Sequence, residues 1–245
     1  MYRSLSPVKT VDTIRLLNKR IEERFPDSNL SKVCAVLGGI AEETTRKAVW
    51  VSRPNIPLRI GVALVIFFGF ALVGYTVSLL DISWGSLDIS ELMQAVDSSV
   101  QTIFFMGVAI FFLITVEVRI KRNRALEAVH ELRVIAHVID MHQLTKDPSR
   151  VMGLQTKTAS SPGSDMTPYQ LVRYLDYCTE MLSLTGKVAS LYAQNFRDSV
   201  VMAAVTEVEN LTTGLAEKIW HKIVILHSFD ENKTAMAMQT LRPMG

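Results

Sequence analysis

The sequence predicts an all-α membrane protein: a two-span transmembrane helical hairpin joined to a cytoplasmic helical bundle that ends in a long antiparallel αα-hairpin. Three observations predict it. Two apolar runs, 58–80 (LRIGVALVIFFGFALVGYTVSLL) and 100–118 (VQTIFFMGVAIFFLITVEV), are nearly unbroken. Each has about the 20 residues that cross a hydrocarbon core of about 30 Å as helix. Basic residues flank the pair on both outer sides, and only acidic ones lie between. The rest of the chain repeats its apolar residues at helical spacing.

The totals agree with that division. The 245 residues are 49% apolar with mean hydropathy +0.23, and the excess sits in the two runs. A net charge of +2 points to neither a nucleic-acid binder nor an acidic tail. Cys34 and Cys178 stand far apart, without metal-site spacing, and read as free thiols of a reducing compartment. The N-terminal stretch has basic residues but no apolar core of a signal peptide, so the first run is expected to act as an internal signal anchor.

Arg46, Lys47, Arg53 and Arg59 precede or open the first run, and Arg119, Lys121, Arg122 and Arg124 follow the second. Asp81, Asp88, Glu91 and Asp97 are the only charges between them. Positively charged flanks stay inside. Both termini are therefore expected in the cytoplasm, with a short external loop at 81–99, in the inner membrane if the cell is bacterial. The N-x-S/T matches at Asn29, Asn210 and Asn232 then face the cytoplasm and go unused.

The domains follow in order. Residues 1–56 form N-terminal cytoplasmic helices. The first has Val11, Ile14, Leu17, Ile21 and Phe25 on one face and ends at Pro26; the second starts near Leu30 behind Asp27 or Ser28. Gly38–Gly39 inside it suggests a close helix contact, and Arg53 to Pro57 forms a stiff elbow. Residues 57–120 are the hairpin, where Gly74 and Ser78 offer a small-residue contact face. Asp88 to Glu91 is expected to start a short helix along the outer surface, with Trp84 as an interface anchor.

Residues 121–245 form the cytoplasmic helical domain. A stalk at 121–145 continues the second span without a breaker, for about 45 residues of helix in all. Its apolar face is Val129, Leu132, Val134, Ile135, Val138 and Ile139, and Asp147–Pro148 closes it. A flexible loop fills 146–166. Thr167–Pro168–Tyr169–Gln170 is a capping box with proline at the first helical position. It opens an αα-hairpin over 167–228, with Leu171, Leu175, Cys178 and Leu182 at the 4-3-4 spacing of coiled-coil packing and Asp198 capping the return helix. A mobile tail follows.

The candidate polar strip is His130, Arg133, His137 and Asp140, which fall on one side of a helix opposite its apolar face. His137 and Asp140, three apart, can pair as an imidazole oriented by a carboxylate. His130 and His137 lie about 10 Å apart along the axis, too far to share one metal ion, and His142 falls with Ile135 and Ile139 as an expected buried histidine. Glu117, near the end of the second run, reads as an interface charge or as part of a ring at a pore mouth. No phosphate loop, nucleophile elbow, zinc-protease or kinase signature occurs, and no cofactor or metal is expected.

Three functions fit. The first is a non-enzymatic tether, scaffold or sensor whose cytoplasmic helices form a homo-oligomer or bind a cytoplasmic protein, with the lipid bilayer as its other partner. The second is an oligomeric two-span ion channel or pore. The third is a membrane-bound enzyme using the His130 to His142 strip.

Overall fold

The structure, a computed structural model, describes residues 4–52, 56–79, 89–153 and 166–240. Among these it is helical throughout, with no strand. The helices are α1 (Pro7–Arg24), α2 (Asn29–Ser52), α3 (Ile56–Leu79), α4 (Ile89–Leu144), α5 (Pro148–Val151), α6 (Pro168–Asn195) and α7 (Ser199–Thr240). They divide into two compact units. One comprises Met1–Ser52 with Ala125–Gly245, and the other Arg53–Arg124. The boundary between them falls inside α4.

Local chemistry sets most helix starts. Pro7 opens α1 behind Ser6, whose Oγ accepts from the Lys9 amide at 3.5 Å. At the α1–α2 turn, Asp27 takes a left-handed φ of 54°, which aspartate tolerates better than most residues. Ser28 then caps α2 by accepting from the Ser31 amide at 3.2 Å. The α6 capping box forms as the sequence predicts, with Thr167 and Gln170 exchanging bonds of 3.2 and 2.9 Å. Asp198 caps α7 through the amides of Val200 and Val201.

Three boundaries differ from expectation. Residues 89–99 are the first turns of α4 rather than a separate surface helix, because neither glycine nor proline interrupts them. Asp147 closes α4 but also caps α5, accepting from Ser149 at 2.9 Å, with Pro148 buried; part of the expected loop is therefore ordered helix. α7 runs to Thr240, past the tail expected after 228. Its last residues, rich in alanine, methionine and glutamine, are good helix formers. The expected elbow at Arg53 to Asn55 and the Trp84 anchor lie outside the described residues, and α3 begins at Ile56 with Pro57 in its first turn.

In the larger unit α6 is the central helix. Its residues Leu171, Leu175, Cys178, Met181, Leu182, Thr185, Val188, Ala189 and Leu191 are all fully buried. The αα-hairpin with α7 covers one side, where a Cβ on Gly186 would stand 3.1 Å from Thr212 Oγ1. α1 lies antiparallel along another side: Arg20 pairs with Glu180 at 2.8 Å, and the Leu5 amide bonds Gln194 at 2.9 Å. α2 follows α6 in parallel, with Tyr192 donating to Thr44 Oγ1 at 3.2 Å. Residues 125–144 of α4 run parallel to α7, tied by Arg133 to Glu207 at 3.3 Å and by Lys222 to Gln143 at 2.6 Å. The wide apolar stripes of α6 and α7 thus find their partners within the chain.

Of the glycine pair in α2, Gly38 is buried and Gly39 is exposed. A Cβ on Gly38 would meet Ile14 Cγ2 at 3.6 Å, ordinary contact, so the helices approach closely without needing glycine. Gly38→Ala should raise stability by up to about 1 kcal/mol through helix propensity, read as a higher melting temperature. Gly186→Ala, pressed on Thr212, should give no such gain.

The smaller unit holds α3 and the first part of α4. Both helices are long and apolar enough to cross a membrane, and no residue in either apolar window is buried. Their close contact is at Gly69, where a Cβ would come within 2.5 Å of Met106 Sδ. The expected face at Gly74 has open space around its Cβ position.

Candidate functional site

The polar strip of α4 forms as one face, and its members take separate partners. His130, Arg133 and His137 are exposed and Asp140 is half-buried. Arg133 reaches Glu207 of α7. Asp140 accepts from Gln143 Nε2 at 2.6 Å, so the expected His137–Asp140 pair does not form. The reason is rotational: Asp140 sits at the edge of the strip nearest the apolar face, within reach of Gln143 one turn on. His142 is half-buried, and the buried polar residue at this end is its neighbour Gln143. Val134, expected in the apolar face, is exposed, since it points with the strip. Glu117 pairs with Lys121 of its own helix at 2.7 Å, both side chains largely covered.

A polar knot closes the end of α4. Lys222 Nζ donates to the Gln143 carbonyl at 3.0 Å and to its side-chain oxygen at 2.6 Å. A lysine at a helix C-terminus satisfies an orphan carbonyl and complements the helix dipole. Burial holds the Lys222 ammonium below its ordinary range, against the opposing pull of Asp147 and Asp140. Lys146 is lowered for the same reason and lies 5.1 Å from the Tyr174 ring centroid. Both lysines act on Cys178, whose burial pushes its thiol up to about 12. Cys34 is pushed to about 12 the same way. Both cysteines are free and buried, so neither offers a thiolate at neutral pH.

Two concave features escaped the sequence reading. The larger is a groove of about 810 Å³ between α1, α6 and α7, with Leu184 and Ile223 below, Lys9 and Lys187 at its rim and Trp220 in its wall. The indole is 61% exposed. The smaller is a cleft of about 360 Å³ between the last turns of α1 and the start of α6, lined by Arg20, Glu23, Arg24, Arg173 and Tyr177. Tyr177, 2% exposed, forms its floor. Its hydroxyl donates to the Arg20 carbonyl at 3.4 Å, and Phe25 meets its ring edge-on. The spacings Arg20–Arg24 and Arg173–Tyr177 were visible in sequence as four-residue repeats. Their meeting across two helices was not.

Among the described residues no group of three or more His, Cys, Asp or Glu side chains comes together as a metal site. Comparison with known protein families, with curated proteins and with solved structures finds no match to this chain.

Proposed function

We propose that the chain is an integral membrane protein in which α3 and α4 form a two-span hairpin anchoring a cytoplasmic helical module. The module works as a non-enzymatic tether or sensor, binding its own copies or a cytoplasmic partner. The observation that carries this reading is α4. One helix supplies an apolar stretch with nothing buried and then, from Ala125 to Ile139, core residues of the bundle. A state change in the bundle thus has a continuous element through which to act on the membrane part.

The packing of the larger unit supports the hairpin. Thr44 of α2 and Arg133 of α4 both contact the level of Tyr192 and Glu207, where α6 ends and α7 begins. Within the larger unit α2 ends, and the bundle part of α4 begins, at that same end. The lysines and arginines beside the apolar runs support the proposed orientation, with both termini in the cytoplasm.

Alkaline carbonate should leave the chain in the membrane pellet. A membrane-impermeant maleimide applied to intact cells should label Ser86→Cys but not Asn123→Cys. Release by carbonate, or the opposite labelling, would sink the reading.

A second reading, an oligomeric pore, draws on the unburied faces of α3 and α4, which leave surface for subunit packing. Ion flux through liposomes holding the purified chain would raise it over the first. The exposed, ungathered strip on α4 leads us to propose no catalysis.

A further inference from the structure

The cleft between α1 and α6 has an unusual concentration of guanidinium groups. Arg20 and Arg173 each place Cζ 5.4 Å from the centroid of the one Tyr177 ring. Arg24 lies 5.8 Å from the Tyr169 ring and donates to its hydroxyl at 3.3 Å. Three like charges are thereby drawn to one 360 Å³ cleft. Like charges so close repel, and a bundle that needed only a latch between α1 and α6 would be served by one pair.

The counter-ions stand behind the cleft rather than in it. Arg20 Nη2 pairs with Glu180 at 2.8 Å, and Arg173 Nη1 with Asp176 at 3.0 Å. Both carboxylates line the neighbouring groove, not the cleft. Each arginine gives one terminal nitrogen to its carboxylate, and a guanidinium has five N–H donors. Arg24 bonds phenols, which leave its charge in place. Glu23 is the single carboxylate lining the cleft, and Lys19 stands 3.9 Å from it.

We propose that this cleft binds the phosphoryl group of a small soluble phosphorylated ligand, with Arg24 and Arg173 as the principal donors and Arg20 as the third. The planar forks match phosphate oxygens in pairs, which a lysine cannot do. Tyr177, fixed by its hydrogen bond and by Phe25, holds Arg20 and Arg173 in place before the ligand arrives. The cleft's volume of about 360 Å³ suits a small phosphorylated molecule. Filling the cleft would draw α1 and α6 together, which makes it a ligand input to the sensor.

The test is calorimetric titration of inorganic phosphate and of pyrophosphate into the full chain, held in nanodiscs of neutral phosphatidylcholine. Saturable binding is expected, weakened about tenfold or more by Arg24→Ala and by Arg173→Ala. Arg24→Lys should recover only part of the loss. Arg133→Ala, whose arginine on α4 also pairs with one carboxylate, should leave binding unchanged. Thermal melts of each variant identify any that fails to fold, and Arg24→Lys then carries the comparison.

No saturable binding of either probe would overturn the proposal, as would equal weakening by Arg24→Ala and Arg133→Ala. Cleft-dependent interaction only with nanodiscs containing phosphatidylglycerol would overturn the soluble ligand. If carbonate releases the chain, the membrane reading fails separately, and the same titrations run in plain buffer.

Discussion

Leu182→Ala is expected to cost the bundle about 2–5 kcal/mol, a large share of the 5–15 kcal/mol typical of a folded domain. Leu182 is fully buried on α6, the helix with neighbours on nearly every side. Met181, Leu175 and Val188 along the same helix are buried just as completely, so little around the deleted atoms is free to collapse inward. The lost transfer energy and the cavity therefore add. Leu144→Ala removes the same atoms from a residue 62% exposed, and should stay within about 0.5 kcal/mol of the parent. Urea unfolding of both variants, followed by near-ultraviolet circular dichroism in detergent, reads the difference. A gap under about 1 kcal/mol between them would show that α6 is not the centre of the core.

That centrality was only half legible. The sequence shows the width of the α6 stripe, because Met181, Leu184, Val188 and Leu191 broaden the 4-3-4 row. A wide stripe says that several partners exist and leaves their identity open. The ties that fix α1 and α2 on α6, Arg20 to Glu180 and Thr44 to Tyr192, join residues about 150 positions apart, beyond any local signal. Local signals did well where the chemistry is local: the Thr167 capping box and the Asp198 cap formed as read. Boundaries placed at a change of polarity did worse. α4 runs through 89–99 and α7 on to Thr240 although the side chains there turn polar.

The candidate site divides on the same ground. Periodicity placed His130, Arg133, His137 and Asp140 on one face of a helix, and three of the four are exposed there. Periodicity does not say what stands opposite. Arg133 met Glu207, while Asp140 turned to Gln143, so the imidazole–carboxylate pair dissolved. The arginine cleft has the converse history. Its members sit at ordinary helical spacings that carry no weight singly, and only the antiparallel packing of α1 on α6 sums their charge.

Between pH 9 and 12 the bundle should lose stability steeply, with Cys34 and Cys178 as the main cause. Both thiols are fully covered, and burial raises each from 9.0 to about 12. An unfolded chain releases those protons near pH 9, while the folded chain keeps them until about 12. Above pH 9 the unfolded state binds fewer protons, so stability falls as pH rises. The contribution is fully present below pH 9 and is lost through the folded value, at about 1.4 kcal/mol per thiol per pH unit. Tyr174, raised by burial, acts in the same direction. Lys222 and Lys146 act in the opposite one. Burial lowers them, so the unfolded chain holds their protons more tightly, and their charging cost fades as pH climbs toward 10.5. Urea unfolding at pH 8 and pH 10.5 should show the parent losing about 4 kcal/mol more than a Cys34→Ala, Cys178→Ala double variant. The double variant also loses packing, but that loss is the same at both pH values and drops out of the slope. Equal slopes for the two proteins would mean that the thiols are not held neutral by the fold.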